Sequence, residues 1–110
     1  MISKNVEKCR GDCLSNEREF NKQHAIALLV EELPALRAKI GISQEELSRY
    51  IGVSRQTLSA VELGKKPCTW SVFLSLVLFF TLQKKTNKAL KLIPGFTDAL
   101  KICLNYDNSL

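Results

Sequence analysis

Residues 43–64 carry serines and glycines at spacings that leave the backbone few options. Ser43-Gln44-Glu45-Glu46 has the form of a capping box, in which the serine hydroxyl accepts from the amide three residues on and Glu46 reaches back to the cap N–H. The helix it opens turns Leu47 and Ile51 inward and stops at Gly52, which adopts left-handed geometry without strain. Two residues later Ser54 caps a second helix, Arg55 to Leu63, with Leu58 and Val61 inward and Gly64 as its stop. Two short helices separated by about three residues are expected, a helix-turn-helix arrangement.

The flanks read as further helix. Met1 to Leu14 is polar, contains Gly11 and is expected to be a flexible tail. Ser15 then resembles an N-cap for a helix running towards Glu32, with Phe20, Ala27, Leu28, Val30 and Leu33 at roughly helical spacing. Pro34 either opens a new helix at its first turn or bends a continuous one. Leu33, Leu36 and Ile40 supply the inward stripe of the segment ending at Gly41. Trp70 to Leu82 is apolar on nearly every face, so both of its sides need cover. Thr97 to Leu104 forms a last helix after Pro94-Gly95, serving as an intramolecular lid or a dimer contact. A chain of 110 residues, 45% apolar and 25% charged, suits one domain with a real core. The expected layout is a tail over 1–14 and one helical domain over 15–110. Its helix-turn-helix core covers 33–82, and 83–110 is a packing or dimerisation segment.

The run Gln44-Glu-Glu-Leu-Ser-Arg-Tyr-Ile-Gly-Val-Ser-Arg-Gln-Thr-Leu-Ser-Ala-Val-Glu-Leu63, then Gly64-Lys65-Lys66, resembles the phage-repressor/Cro (XRE-like) helix-turn-helix family. Leu36-Arg37 and Gly41-Ile42-Ser43-Gln44 match the approach to that motif, and Ser48 stands where the family usually has Ala. The resemblance covers about half the chain. It implies an all-α, lambda-repressor-like helix-turn-helix bundle, here with an added N-terminal segment and C-terminal helix. It also implies a first helix across the phosphate backbone and a second in the major groove. Arg55, Gln56, Ser59 and Ala60 lie off the inward face of that second helix, and Thr57 flanks it. Arginine pairs with guanine O6/N7, glutamine with adenine N6/N7, and alanine can touch a thymine methyl. By the resemblance, Arg55 and Gln56 read bases, while Gln44, Ser54, Lys65 and Lys66 meet phosphates. Arg37 and Glu62 resemble a structural ion pair of the family.

Composition narrows the alternatives. Sixteen Lys and Arg against 11 Asp and Glu give a net charge of +5, with +3 of it from Pro67 onward. A mild basic excess suits a polyanion but decides nothing alone. The 13-residue apolar run Trp70 to Leu82 is too short for a bilayer, which takes roughly 18 apolar residues. The first residues lack the apolar core of a secretory signal, so a cytoplasmic protein with reduced cysteines is expected. Cys9, Cys13 and His24 make a poor zinc set: the spacing is C-x₃-C, only one histidine exists, and Cys68 and Cys103 are distant. Arg10-Gly11-Asp12 is taken as a chance tripeptide. One histidine cannot furnish a nucleophile, base and orienter, and no phosphate-binding glycine loop is present, so neither enzyme nor cofactor is expected. The expected function is a sequence-specific regulator, most simply a repressor, binding an inverted repeat in double-stranded DNA as a homodimer. A second reading is an antitoxin-like module that neutralises a protein partner and autoregulates through the same motif.

Overall fold

The computed structural model describes the backbone of residues 2–104 and the side-chain surroundings of residues 17–104. Six helices succeed one another: α1 (Ile2–Ile40), α2 (Gln44–Ile51), α3 (Arg55–Glu62), α4 (Trp70–Leu82), α5 (Lys84–Leu92) and α6 (Phe96–Leu104). No strand occurs among the described residues. The fold is all-α.

Helix α1 corrects the expected start. The backbone of residues 2–14, expected as a tail, is helical and continuous with residues 15–40, so Ser15 lies inside the helix instead of capping it. Nothing before Pro34 forbids this: Gly11 costs a helix interior only about 1 kcal/mol relative to alanine. Pro34 also lies within the helix. It faces solvent, where water can take the Val30 carbonyl that a proline nitrogen cannot partner.

The buried face of α1 differs from the expected stripe as well. Ala25, Ile26, Leu29, Leu33 and Leu36 are buried, whereas Phe20 is 70% exposed and Ala27 faces solvent. Phe20 instead stacks on His24, with ring centroids 6.2 Å apart. Two apolar stripes compete on this helix, and only the denser one runs in phase with Leu33 and Leu36 on both sides of Pro34.

Those α1 side chains meet Leu47, Leu58, Val61, Phe73, Leu76 and Phe80 in one core. Phe73 anchors its aromatic part, stacking on Trp70 at 5.0 Å and meeting Phe96 edge-on at 6.0 Å. Lys22 of α1 places its Nζ 5.1 Å from the Trp70 ring, a cation–π contact. Removing a large aromatic from such a core costs about 3–5 kcal/mol.

The C-terminal helices close the bundle. Thr69 caps α4 by accepting from the Val72 amide at 3.2 Å, and α4 has the expected bounds. Helix α5 has no counterpart in the sequence expectations; only Gln83 separates it from α4. Thr86, fully buried, donates its hydroxyl to the Phe80 carbonyl at 2.6 Å and so ties α5 to the end of α4. After the Pro94-Gly95 turn, α6 runs antiparallel to α1: its start lies beside His24, and the Cys103 thiol sits 3.9 Å from the Arg18 carbonyl. Phe96 and Ala99 are buried there, so one face of α6 packs within the chain.

Candidate nucleic-acid interface

Local chemistry places α2 and α3 as expected. Ser43 Oγ accepts from the Glu46 amide at 3.0 Å, and the Glu46 carboxylate accepts from the Ser43 amide at 3.0 Å. The bond from the Ser43 amide, and after it the Ser43 hydroxyl beside the carboxylate, hold the Glu46 carboxyl below its ordinary value. Gly52 takes φ 79°, and the amides of Gly52 and Val53 both reach the Ser48 carbonyl. Ser48, buried, returns its hydroxyl to the Glu45 carbonyl at 2.7 Å, so a polar residue fits where the family prefers alanine. The chain then turns through Val53 into Ser54, whose Oγ accepts from the Thr57 amide at 3.0 Å and opens α3.

Helix α3 is locked from behind. Leu58 and Val61 are buried, and Glu62 at its C-terminal end grips Arg37 of α1 through two bonds, Nε–Oε2 at 2.8 Å and Nη2–Oε1 at 3.1 Å. Arg37 also donates to the Ile42 carbonyl at 3.3 Å. The Glu62 side chain is 5% exposed and that of Arg37 20%, so the carboxylate is nearly dry while the guanidinium keeps some water. Gln44 joins the same group, its Nε2 donating to Glu62 Oε1 at 2.9 Å. One cluster thus joins α1, the first turn of α2 and the end of α3.

What this locking presents is the first turn of α3. Arg55 and Gln56 are exposed there, and Thr57, Ser59 and Ala60 are half-buried. The amides of Arg55 and Gln56 precede any intrahelical bond, and the positive end of the helix dipole adds to the Arg55 charge. Lys65 and Lys66 are exposed beyond Gly64, with both their amides turned back to the Ala60 carbonyl at 2.8 and 3.3 Å. Their side chains make no salt bridge among the described residues.

Two expected phosphate ligands have other employment. Ser54 donates its hydroxyl to Thr57 Oγ1 at 2.9 Å while accepting from the Thr57 amide, so its side chain has little capacity left for an anion. Gln44 spends one amide hydrogen on Glu62 and retains the other. The Gln44–Glu62 bond and the Ile42 carbonyl contact escaped sequence reading, because the partners are eighteen and five residues away and no periodicity links them.

Residues 35–67 match the family model described as Helix-turn-helix. This segment is a helix-turn-helix of the phage-repressor/Cro type. The match spans less than a third of the chain and holds the Arg37–Glu62 pair, both capped helices and the two lysines. No curated protein and no solved structure matches the chain. The helix-turn-helix makes this a DNA-binding chain of the transcription-regulator type. No helix among the described residues is long and apolar enough to cross a membrane, and no group of His, Cys, Asp or Glu there is placed to hold a metal ion. Cys9, Cys13 and the Arg10-Gly11-Asp12 tripeptide lie outside the residues whose side-chain surroundings are described.

Proposed function

We propose that the protein is a sequence-specific repressor that binds an inverted repeat in duplex DNA as a homodimer in the cytoplasm. The observation that carries this reading is the asymmetry of α3: Leu58, Val61 and Glu62 hold its back and end, while Arg55 and Gln56 project freely from its first turn. Inserted N-terminus first into the major groove, α3 brings Arg55 to a guanine edge and Gln56 to an adenine edge. Ala60 offers only a methyl, one fewer polar reader. Lys65, Lys66 and the remaining Gln44 hydrogen meet phosphates at either side and fix the register. Repression needs only occlusion of the site, whereas activation requires a further contact with polymerase. Residues 15–110 work as one unit in this reading, the core 33–82 contacting DNA and 83–110 packing behind it.

The test is selection from random duplexes at fixed salt, with wild type and Arg55→Ala/Gln56→Ala in parallel, because phosphate contacts make affinity steeply salt-dependent. Wild type should enrich half-sites about one turn apart (~34 Å). The double variant should lose roughly 1–3 kcal/mol of discrimination for each bidentate pair removed. Absence of any enriched sequence with the wild type rejects the reading.

A further inference from the structure

We infer that the side chains of Lys84 and Lys85 on α5 hold a stretch of phosphate backbone on the same duplex that the helix-turn-helix binds, beyond the phosphate met at Gln44. This rests on the DNA-binding reading above and extends the contact past residue 82, outside the segment that matches the family model. Four of the nine residues of α5 are lysines (Lys84, Lys85, Lys88 and Lys91), all of them exposed, and the helix has no acid. None makes a salt bridge among the described residues. Solvated lysines alone identify no partner. Their place in the fold does.

The junction of α4 and α5 stands across one groove from the α1–α2 turn. That groove, of about 320 Å³, has Ile40, Ile42, Glu46, Phe79 and Gln83 on its walls. Ile42 and Glu46 bracket Gln44, which keeps one amide hydrogen, and Gln83 immediately precedes Lys84. Lys84 and Lys85 therefore lie at the same end of the bundle as the start of α2. Glu46 is the one acid on that lining, and its carboxylate is already bound to the Ser43 amide at 3.0 Å. Duplex DNA has one charge per ~1.7 Å of its axis, so a backbone strand laid across the groove has phosphates on both sides of it. A small anion held at Gln44 would reach only one.

The rest of α5 leads away from that end. It packs along α1, and the turn after it brings Gly95 beside His24, sixteen residues before Ile40. At 1.5 Å per residue that is ~24 Å along α1. Lys91 stands ~10 Å along α5 from Lys84. Lys101 lies further still, on α6, whose Cys103 reaches Arg18. Both exceed the screening length of ~8 Å at physiological salt. Residues of equal charge thus divide into a pair beside the interface and a pair remote from it.

The salt dependence of binding to a mixed-sequence duplex, read by fluorescence anisotropy, tests this. The variants are Lys84→Gln/Lys85→Gln, the remote control Lys91→Gln/Lys101→Gln, and Lys84→Arg/Lys85→Arg. Each glutamine pair removes two charges from the net +5. Losing one phosphate contact flattens the slope of log K against log salt by ~0.9, so Lys84→Gln/Lys85→Gln should flatten it by ~1.8. Its deficit against wild type should shrink ~10-fold between about 50 and 200 mM salt. The remote pair should keep the wild-type slope, and so should the arginine pair, since guanidinium also binds phosphate. Circular dichroism should match wild type throughout, because all four lysines are exposed.

An unchanged slope for Lys84→Gln/Lys85→Gln overturns the contact. So does an equal loss from the remote pair, which would make the effect one of net charge, and so does a wild type that binds no duplex at the lowest salt. The mixed-sequence duplex separates this contact from the function beneath it. A wild type that selects no inverted repeat, yet shows these slopes, removes the repressor reading and leaves the α5 contact standing.

Discussion

Two pairs of consecutive helices in this molecule are joined by very different means. Between α2 and α3 the chain spends Gly52, Val53 and Ser54: a left-handed glycine ends one helix and a serine hydroxyl begins the next. Between α4 and α5 there is only Gln83, which ends one helix and starts the other without any side-chain cap on the second. The first junction is held by bonds within a few residues of itself. The second is held by Thr86 and Asn87, each reaching back six residues, Thr86 to the Phe80 carbonyl in the core and Asn87 to the Thr81 carbonyl at 2.9 Å. Helix α5 also begins with Lys84 and Lys85 at the positive end of its dipole, so nothing local favours its start.

The regions differ in what they leave exposed as well. The helix-turn-helix buries Leu47 and Leu58 and shows solvent mainly charges and amides, with Leu63 exposed at the end of α3. The α4–α6 face shows solvent leucines. One is finished as a polar surface; the other is a half-built core.

The sharpest way to break the comparison is to remove the long-range bond on which the otherwise local α2–α3 pair depends. Glu62→Ala leaves Arg37 and Gln44 facing an empty site. Breaking a buried pair on one side costs 3–5 kcal/mol, and the water around Arg37 reduces that here to about 2–3 kcal/mol. Urea unfolding should report it, together with weakened DNA binding as α3 loses its rear anchor. A loss confined to binding, with stability intact, would mean that the cluster does not hold the helix.

Thr86→Val is next in size and tests the other junction. It removes one buried hydroxyl at nearly constant volume and leaves the Phe80 carbonyl with only the Gln83 amide at 3.3 Å. About 1–2 kcal/mol should be lost. Hydrogen exchange should show α5 opening first while α2 and α3 stay protected.

These differences explain what the sequence revealed. The capping box, both stops, the bounds of α4 and the Arg37–Glu62 pair were legible: the first two because their partners lie within four residues, the third from the apolar run Trp70 to Leu82, and the last because the family resemblance named both members. The exposed first turn of α3 followed from the inward positions of Leu58 and Val61. Helix α5 was not legible, because its start depends on a threonine that finds its acceptor only once α4 has folded. Phe20 was misplaced because its spacing is as helical as that of Leu29; the choice between two stripes is made by the helices that pack on α1. Gln44 was assigned to phosphate alone for a related reason: Glu62 comes within 2.9 Å only through the turn between them.

The smallest expected effect tests whether capping chemistry is what separates the two junctions. Ser54→Ala removes the acceptor for the Thr57 amide and should cost about 1 kcal/mol. Gln83→Asp does the reverse for α5. Position 83 already has the extended backbone of an N-cap, φ −91° and ψ 129°, so a short carboxylate there can accept from the first-turn amides without refolding the junction. It also places a negative charge beside Lys84 and Lys85 and at the positive end of the helix. Against this, Gln83 gives up its bond to the Phe79 carbonyl at 3.2 Å, so the net gain should be about 0.5 kcal/mol. Thermal melts should shift in opposite directions for the two variants. If Gln83→Asp instead destabilises, the Phe79 bond outweighs the missing cap, and the second junction is held from the core on both sides of Gln83.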